Sequence, residues 1–442
     1  MEKETVLNVG FDDTDSPKGM CTTFLAYKIV DSLQKQNIEF LDFPRLIRFN
    51  PNIPWKTRGN GAVSFKIKTK NPSKIKDQIK KFVSKYSDIK NGANPGLVFF
   101  ESDTIPIQFT KFSKLALWQL INRNNAKTFA KKNNLEIHYQ GNGQGLVGAI
   151  GAIGYDFDDH TLELLSYRKK SQFGKERKIS TESVKNMQEK TSPNTFNSFD
   201  TKKGRVLITP HGPDPVFFGV RGENVDSLVY ATKILKTTEK LDGYMIFKSN
   251  QGTGDHLKNE LNFENMKPFA SGKLSGVVSN IPKIVKGGHV FFKIISKNHE
   301  FWCAVYKPTG MTIVASNLLK GDEISVGGGV RKASKNFPRI INLEFIDIIS
   351  LVKNTTLTNP ECTKCHKKMK SKGANQGFQC IRCGKKALKK ISTEISRNIK
   401  KQLYLPIISA HRHLSRPLQR IGMINKSSKF DKSISWFCVY GK

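Results

Sequence analysis

The chain has no apolar stretch near the ~18–20 residues that a membrane-spanning helix requires, which excludes a helical span. Its opening residues, MEKETVLNVGFDDTD, turn acidic at once and lack the apolar core of a secretory signal, so a cytoplasmic location is expected. Acidic residues are scarce: Asp+Glu 37 against Lys+Arg 73 leaves a net charge of +36. That excess exceeds what solubility needs and points to a polyanion, because Lys and Arg displace the counterions of phosphates. Cysteine is sparse as well. Four of the seven cysteines form two CxxC pairs and the other three are scattered, so no disulfide framework exists. A Walker-type GxxxxGK[ST] loop is missing, as are internal repeats and long low-complexity segments. Nothing calls for an obligate protein partner.

What the chain does have is 442 residues, enough for two to four domains, and apolar material for real cores. Residues 6–11 form an apolar run that ends in an acidic turn. Over 24–33 apolar residues recur at helical spacing, and Val63, Phe65 and Ile67 alternate with Ser64 and Lys66 as in a half-buried strand. Ile75, Ile79 and Val83 mark an amphipathic helix, 97–100 reads as a strand and 114–122 as a helix. The order β-α-β-β-α-β predicts a ferredoxin-like unit.

A second α+β block follows, with strands over 162–167, 205–209, 217–220 and 244–247 and a helix over 224–235; residues 168–203 read only as loops with at most one helix. From about 265 short strands separated by Gly, Pro and Asn predict a five-stranded barrel, with the OB-fold leading and an SH3-like barrel as the rival. After 353 the composition shifts: residues 353–442 hold 21 Lys+Arg and 3 Asp+Glu. The expected fold is α+β multidomain: 1–155 and 156–258 as α+β domains, 265–352 as an OB-fold, 353–390 as a zinc ribbon and 391–442 as a basic helical tail.

Cys362-x2-Cys365 and Cys380-x2-Cys383, fourteen residues apart, have zinc-ribbon spacing. Four thiolates close a tetrahedral Zn²⁺ site and leave no position for a reactive water, so the site is structural. Asp12, Asp13 and Asp15 crowd one turn after a buried strand. Like charges so close need a cation, and a hard one such as Mg²⁺ with nucleotide phosphates suits them; an Asp-rich capping turn is the plainer reading. Thr22 and Thr23 open the next helix, where backbone N–H groups favour phosphate.

Arg45, Arg48, Lys56 and Arg58 share a Pro-rich stretch with Trp55, suited to gripping phosphate and stacking a base, or simply a solvated basic loop. The rigid turn 209–215, TPHGPDP, presents His211 and Asp214 together for a cationic substrate or metal, though turn chemistry alone also favours Pro-Asp-Pro. Gly143-x-Gly145-x-x-Gly148, with Glu163 downstream, matches a dinucleotide fingerprint. No amphipathic helix follows it, so the glycines are read as sites of close backbone approach.

FDDTDSPKGMCTTF, FPRLIRFNPNIPWKTRGNGAV, GLVGAIGAIGYDFDDHTLELLSYR and TPHGPDPVFFGVRGE together resemble the archaeal tRNA-isoleucine 2-agmatinylcytidine synthetase family, over nearly the whole chain. The resemblance implies a tRNA-modifying ligase. It activates the C2 oxygen of the wobble cytidine in tRNA-Ile with a CAU anticodon, and agmatine's amine then displaces the phosphate. ATP becomes AMP and two phosphates, on a kinase-type domain without a P-loop.

By motif match, Asp12, Asp13 and Asp15 would hold Mg²⁺ and ATP phosphates with Lys56 and Arg58 beside them. Thr22 would be the self-phosphorylated residue. Asp214, with His211, would support catalysis or bind agmatine. The run 250–256, NQGTGDH, departs from the family's expected NQGTDAH and leaves the role of Asp255 open. The competing class is a non-catalytic single-stranded RNA- or DNA-binding protein built on the barrel and ribbon, which leaves the acidic turn unexplained.

Overall fold

The structure, a computed structural model, describes residues 4–335, 338–426, 430 and 435–441. The chain divides into two compact units, one of Met1–Leu274, Gly327–Glu344 and Leu405–Lys442, the other of Ser275–Val326 and Phe345–Tyr404.

In the first unit β1 (Thr5–Asp12) runs into α1 (Thr22–Gln34), followed by β2 (Glu39–Phe40), β3 (Arg45–Arg48), β4 (Gly61–Thr69), α2 (Pro72–Tyr86) and β5 (Gly96–Glu101). Strands β5, β1, β4 and β3 lie side by side in that order, every neighbour antiparallel. This is the order of a split βαβ unit, as expected from the sequence. The local causes are visible in α2: Asn71 caps it by accepting from the Lys74 N–H, Pro72 opens its first turn, and Ile75, Ile79 and Val83 form its buried stripe.

Beyond β5 come α3 (Ile107–Trp118), α4 (Arg123–Lys132), β6 (Glu136–Tyr139) and α5 (Leu146–Gly154). Of the helix expected over 114–122 only 114–118 is helical, as the end of α3; the chain then breaks, and Asn122 caps α4 through the Asn124 N–H. The glycine-rich run is itself the helix α5. Nearly all of it is buried, so it has no polar face and no amphipathic period to detect. The close-approach reading of its glycines is correct: Cβ atoms on Gly145, Gly148, Gly151 and Gly154 would meet the Asp12 backbone, the Asp12 carboxylate, the Phe49 ring and the Phe109 backbone.

The chain continues through β7 (Thr161–Arg168), α6 (Thr181–Thr191), β8 (Thr195–Phe196), β9 (Phe199–Asp200), β10 (Arg205–Val206), β11 (Val216–Gly222), α7 (Val225–Ile234) and β12 (Leu241–Ser249). Helix α6 resolves the polar stretch, with Ser180 as its cap. The strand expected over 205–209 shrinks to two residues; the prolines of the following turn have no N–H to extend a ladder. A parallel pairing of β12 with β3 (Lys248 with Arg45, Ser249 with Leu46) joins both halves into one eleven-stranded sheet.

The tail is not a helix among the described residues. It contains short strands and two 3₁₀ turns, and Phe437–Val439 pairs with β12. Its arginines explain why: Arg420 is fully buried between Asp159 and Glu223, and Arg416 also reaches Asp159, so part of the basic charge is neutralised inside the fold.

The barrel consists of β13 (Ser271–Val278), β14 (Lys283–Val285, an added edge), β15 (His289–Ser296), β16 (His299–Val305), α8 (Thr312–Ser316), β17 (Glu323–Arg331) and β18 (Ile340–Ser350). The five long strands close as β13-β17-β18-β16-β15-β13, and α8 sits between the third and fourth. That is OB topology, not the SH3-like alternative. Val290, Phe292 and Ile294 alternate inward along β15. Among the described residues no helix is long and apolar enough to cross a membrane.

Candidate functional site

A cavity of about 630 Å³ opens in the first unit, at the end of β1. Asp12, the last residue of β1, is seated by two glycines: Gly145 admits its backbone and Gly148 its carboxylate. Its Oδ1 accepts from the Asp13 N–H at 2.7 Å. Asp13 has φ +56, the left-handed region that Asp tolerates better than most residues. Asp15 is 8% exposed, accepts from Thr57 Oγ1 at 3.0 Å and is ion-paired with Arg58. Thr22, the first residue of α1, accepts from Thr14 Oγ1 at 3.0 Å.

The opposite wall is the 209–215 turn. Asp214 is 2% exposed. Its Oδ1 accepts from the Val216 N–H at 3.0 Å and is 3.3 Å from Arg177, whose guanidinium also binds the carbonyls of Pro210, Gly212 and Asp214. Its Oδ2 has no hydrogen-bond partner among the described residues and faces Arg58 Nε at 3.5 Å. His211 is exposed, with Nε2 2.5 Å from Arg205 Nη2. Lys56 donates to the Arg58 carbonyl at 3.2 Å.

Further in, Glu163 is buried between Arg48 and Arg221, each 3.5 Å away, and accepts from Gln251. His413 Nδ1 lies 3.0 Å from Arg221 Nη2 and 2.8 Å from Gln251 Oε1.

The cavity holds its carboxylates against their preference for charge. Burial pushes Asp12 up to about 7, and the charge of Asp15 adds to it. Burial, then Asp12 and Asp15, push Asp13 up to about 8. Asp15 and Asp214 are also raised by burial, against the pull of Arg58 and, for Asp214, Arg177. Burial holds His413 well below the usual range, with Arg48 and Arg221 adding to it, so its ring is neutral at physiological pH. Carboxylates this strained want a cation, and a pocket with acidic and basic walls can hold a phosphate ester beside an amine.

Eight of the residues singled out from the sequence for this chemistry line the same cavity: Asp12, Asp13, Asp15, Thr22, Lys56, Arg58, His211 and Asp214. Trp55 and Arg48 join them. Arg45 does not; it pairs with Asp42 at 3.1 Å and stacks on Phe157. Asp255 lies elsewhere, bonded to Tyr155 and Lys258. Sequence reasoning missed the Glu163 cluster and the His411–His413 segment. In the sequence Glu163 stands out only through the dinucleotide motif, and HRH in a basic tail carries no sign of folding back.

The four cysteines converge in the second unit, their sulfurs all within 4.8 Å of one another. Two like turns present them: His366 N–H donates to the Cys362 carbonyl at 2.8 Å and Gly384 N–H to that of Cys380 at 2.9 Å, with φ +52 and +70. The Lys364 and Cys365 N–H groups point at the Cys362 sulfur and favour the thiolate. This donor set fits Zn²⁺, and exposed His366 contacts Glu361 instead.

A buried pocket of carboxylates and cations, in a chain that also carries an OB barrel and a zinc ribbon, defines a class: enzymes that do phosphate-dependent chemistry on a nucleic acid. Family models for the TiaS TCKD domain, the TiaS FLD domain and the TiaS C-terminal zinc ribbon match residues 8–142, 143–256 and 359–399. The tRNA-isoleucine 2-agmatinylcytidine synthetase TiaS of Cenarchaeum symbiosum is 46% identical over 99% of this chain and 97% of its own, and that of Thermococcus sibiricus 41% over 93% and 95%. A solved complex of TiaS with its isoleucine tRNA and ATP is 35% identical with TM-score 0.85, over 96% of this chain and 99% of that one. A complex of TiaS with the same tRNA, AMPCPP and agmatine is 33% identical with TM-score 0.82, over the same shares. The chain belongs to the tRNA-isoleucine 2-agmatinylcytidine synthetase family.

Proposed function

We propose that this protein uses ATP to join agmatine to C2 of the wobble cytidine of tRNA-Ile with a CAU anticodon, forming agmatidine for AUA decoding. The observation that carries the reading is the convergence of the acidic turn, Thr22, the 56–58 basic turn and Asp214 on one cavity. A non-catalytic binding protein would have no use for carboxylates held so far above their ordinary range.

The chemistry follows from the poor electrophilicity of cytosine C2, whose carbonyl oxygen is a bad leaving group. Transfer of a phosphoryl group to that oxygen creates a good one. Agmatine's amine nitrogen then forms a bond to C2, the C2–O bond breaks, phosphate departs with the oxygen, and the nitrogen gives up its proton. The wobble base leaves the anticodon stack to reach the pocket, and water must be kept out while the intermediate exists.

Asp12, Asp13 and Asp15 are the ligands we assign to Mg²⁺, which when bound neutralises phosphate charge during transfer. Lys56 and Arg58 hold ATP phosphates, and Thr22 is the self-phosphorylated hydroxyl. Asp214, with His211 nearby, takes the cationic amine substrate. We divide the work among 1–155 for ATP, 156–258 with it for the amine, and the barrel, ribbon and tail for tRNA, in a cytoplasmic enzyme. Incorporation of labelled agmatine into a CAU-anticodon tRNA-Ile transcript tests this. ATP-dependent incorporation is expected; none with folded, metal-supplied protein refutes it.

A further inference from the structure

Arg58 stands between the two carboxylates of the cavity that have most to offer a cation. Its guanidinium is ion-paired with Asp15, donates to the carbonyls of Met20 at 2.9 Å and Ser16 at 3.2 Å, and brings Nε to 3.5 Å from Asp214 Oδ2. That oxygen belongs to a residue only 2% exposed, yet it has no hydrogen bond among the described residues, while Oδ1 is saturated by Val216 and Arg177. A desolvated carboxylate oxygen left in this state costs stability unless some ligand uses it.

The contact with Arg58 is a charge contact without a hydrogen bond. The Arg58 backbone is itself held at φ +42, unusual for a long side chain and typical of residues kept in place for function. Agmatine carries the same guanidinium group, plus an amine. Arg58 is thus a built-in, weaker stand-in for the substrate's cation.

We propose that Arg58 is a coupling residue: it occupies the charge of Asp214 while the amine subsite is empty, and agmatine, on hydrogen-bonding Oδ2, frees it to bind the phosphates of ATP. The inference rests on the proposed ligase reading. Its consequence is reciprocal: agmatine tightens ATP binding and ATP tightens agmatine binding by the same factor. Phosphate is gripped fully only when the amine is present, which limits idle phosphoryl transfer.

The test is calorimetric titration of the full-length chain with a non-hydrolysable ATP analogue, with and without agmatine, for the wild type, R58Q and R58K. Thermal melts serve as the folding control. Wild type should bind the analogue about 5–10-fold more tightly with agmatine, within the usual range of coupling. R58Q should bind agmatine alone at least as tightly as wild type, since the internal competitor is gone, with a coupling factor near 1. R58K keeps the charge but not the fork; it should fold even if R58Q does not and lose most of the coupling.

Full coupling in either folded variant overturns the proposal. So does agmatine binding R58Q several-fold more weakly, or a wild-type factor of 1 with labelled agmatine still incorporated. A wild-type chain that neither binds nor incorporates agmatine refutes instead the ligase reading.

Discussion

Replacing Asp12 with Asn should make the protein more stable and inactive, with a gain that depends on pH. The carboxyl is pushed from 3.8 to about 7, chiefly by burial. Below pH ~4 it is protonated in both folded and unfolded chains and contributes no difference. As pH rises toward 7 the unfolded chain ionises while the folded one keeps its proton, so the wild type loses stability across that window. Above 7 the penalty is complete. About three pKa units at ~1.4 kcal/mol each put its ceiling near ~4 kcal/mol.

The cavity is open to solvent, which screens the charge, so about 1–2 kcal/mol is the expected gain at pH 8. Asn preserves the shape and can still accept from the Asp13 N–H. Melts of wild type and D12N at pH 5 and 8 should show D12N ahead by ~2–5 °C at pH 8 and by much less at pH 5. A destabilised D12N at pH 8, or a gain equal at both pH values, refutes the reasoning. Added Mg²⁺ should narrow the gap at pH 8, because it neutralises the same charge.

Gly148→Ala would put a Cβ against the Asp12 carboxylate, 2.6 Å from its Cγ, so turnover should fall about 10–100-fold; steady-state kinetics on the folded variant check this. Arg420→Ala leaves Asp159 and Glu223 uncompensated in the interior and should cost about 3–5 kcal/mol, read from urea unfolding. Cys380→Ser, or chelation of zinc, should weaken tRNA binding at least tenfold, while binding of an ATP analogue, measured by calorimetry, is kept.

The parts of this molecule that were legible from its sequence are those whose signal is local. The alternation of Val63, Phe65 and Ile67, the stripe of Ile75, Ile79 and Val83 and the spacing of the four cysteines each follow from a period or a chelate geometry that neighbours in the chain define. What was not legible is long-range. Helix α5 is buried on all sides, so its Gly-x-x-Gly spacing lacked the polar face by which helices are recognised, and only the partners of each glycine in space explain it. Arg412, Arg416 and Arg420 are in the sequence only part of a basic tail, because their carboxylates, Glu344, Asp159 and Glu223, stand far earlier in the chain. Glu163 shows the same limit: in the sequence it stands only as the acid downstream of three glycines, yet its partners are Arg48 and Arg221 across the sheet.

The central claim is that one cavity joins agmatine to a single base using ATP. Its most direct test is to incubate the purified chain with a CAU-anticodon tRNA-Ile transcript, ATP, Mg²⁺ and agmatine, digest the RNA and weigh the wobble nucleoside. The account predicts a cytidine heavier by agmatine less one water, at that position alone, and absent without ATP or in D214N. An unchanged wobble cytidine, or agmatine attached elsewhere in the transcript, contradicts it.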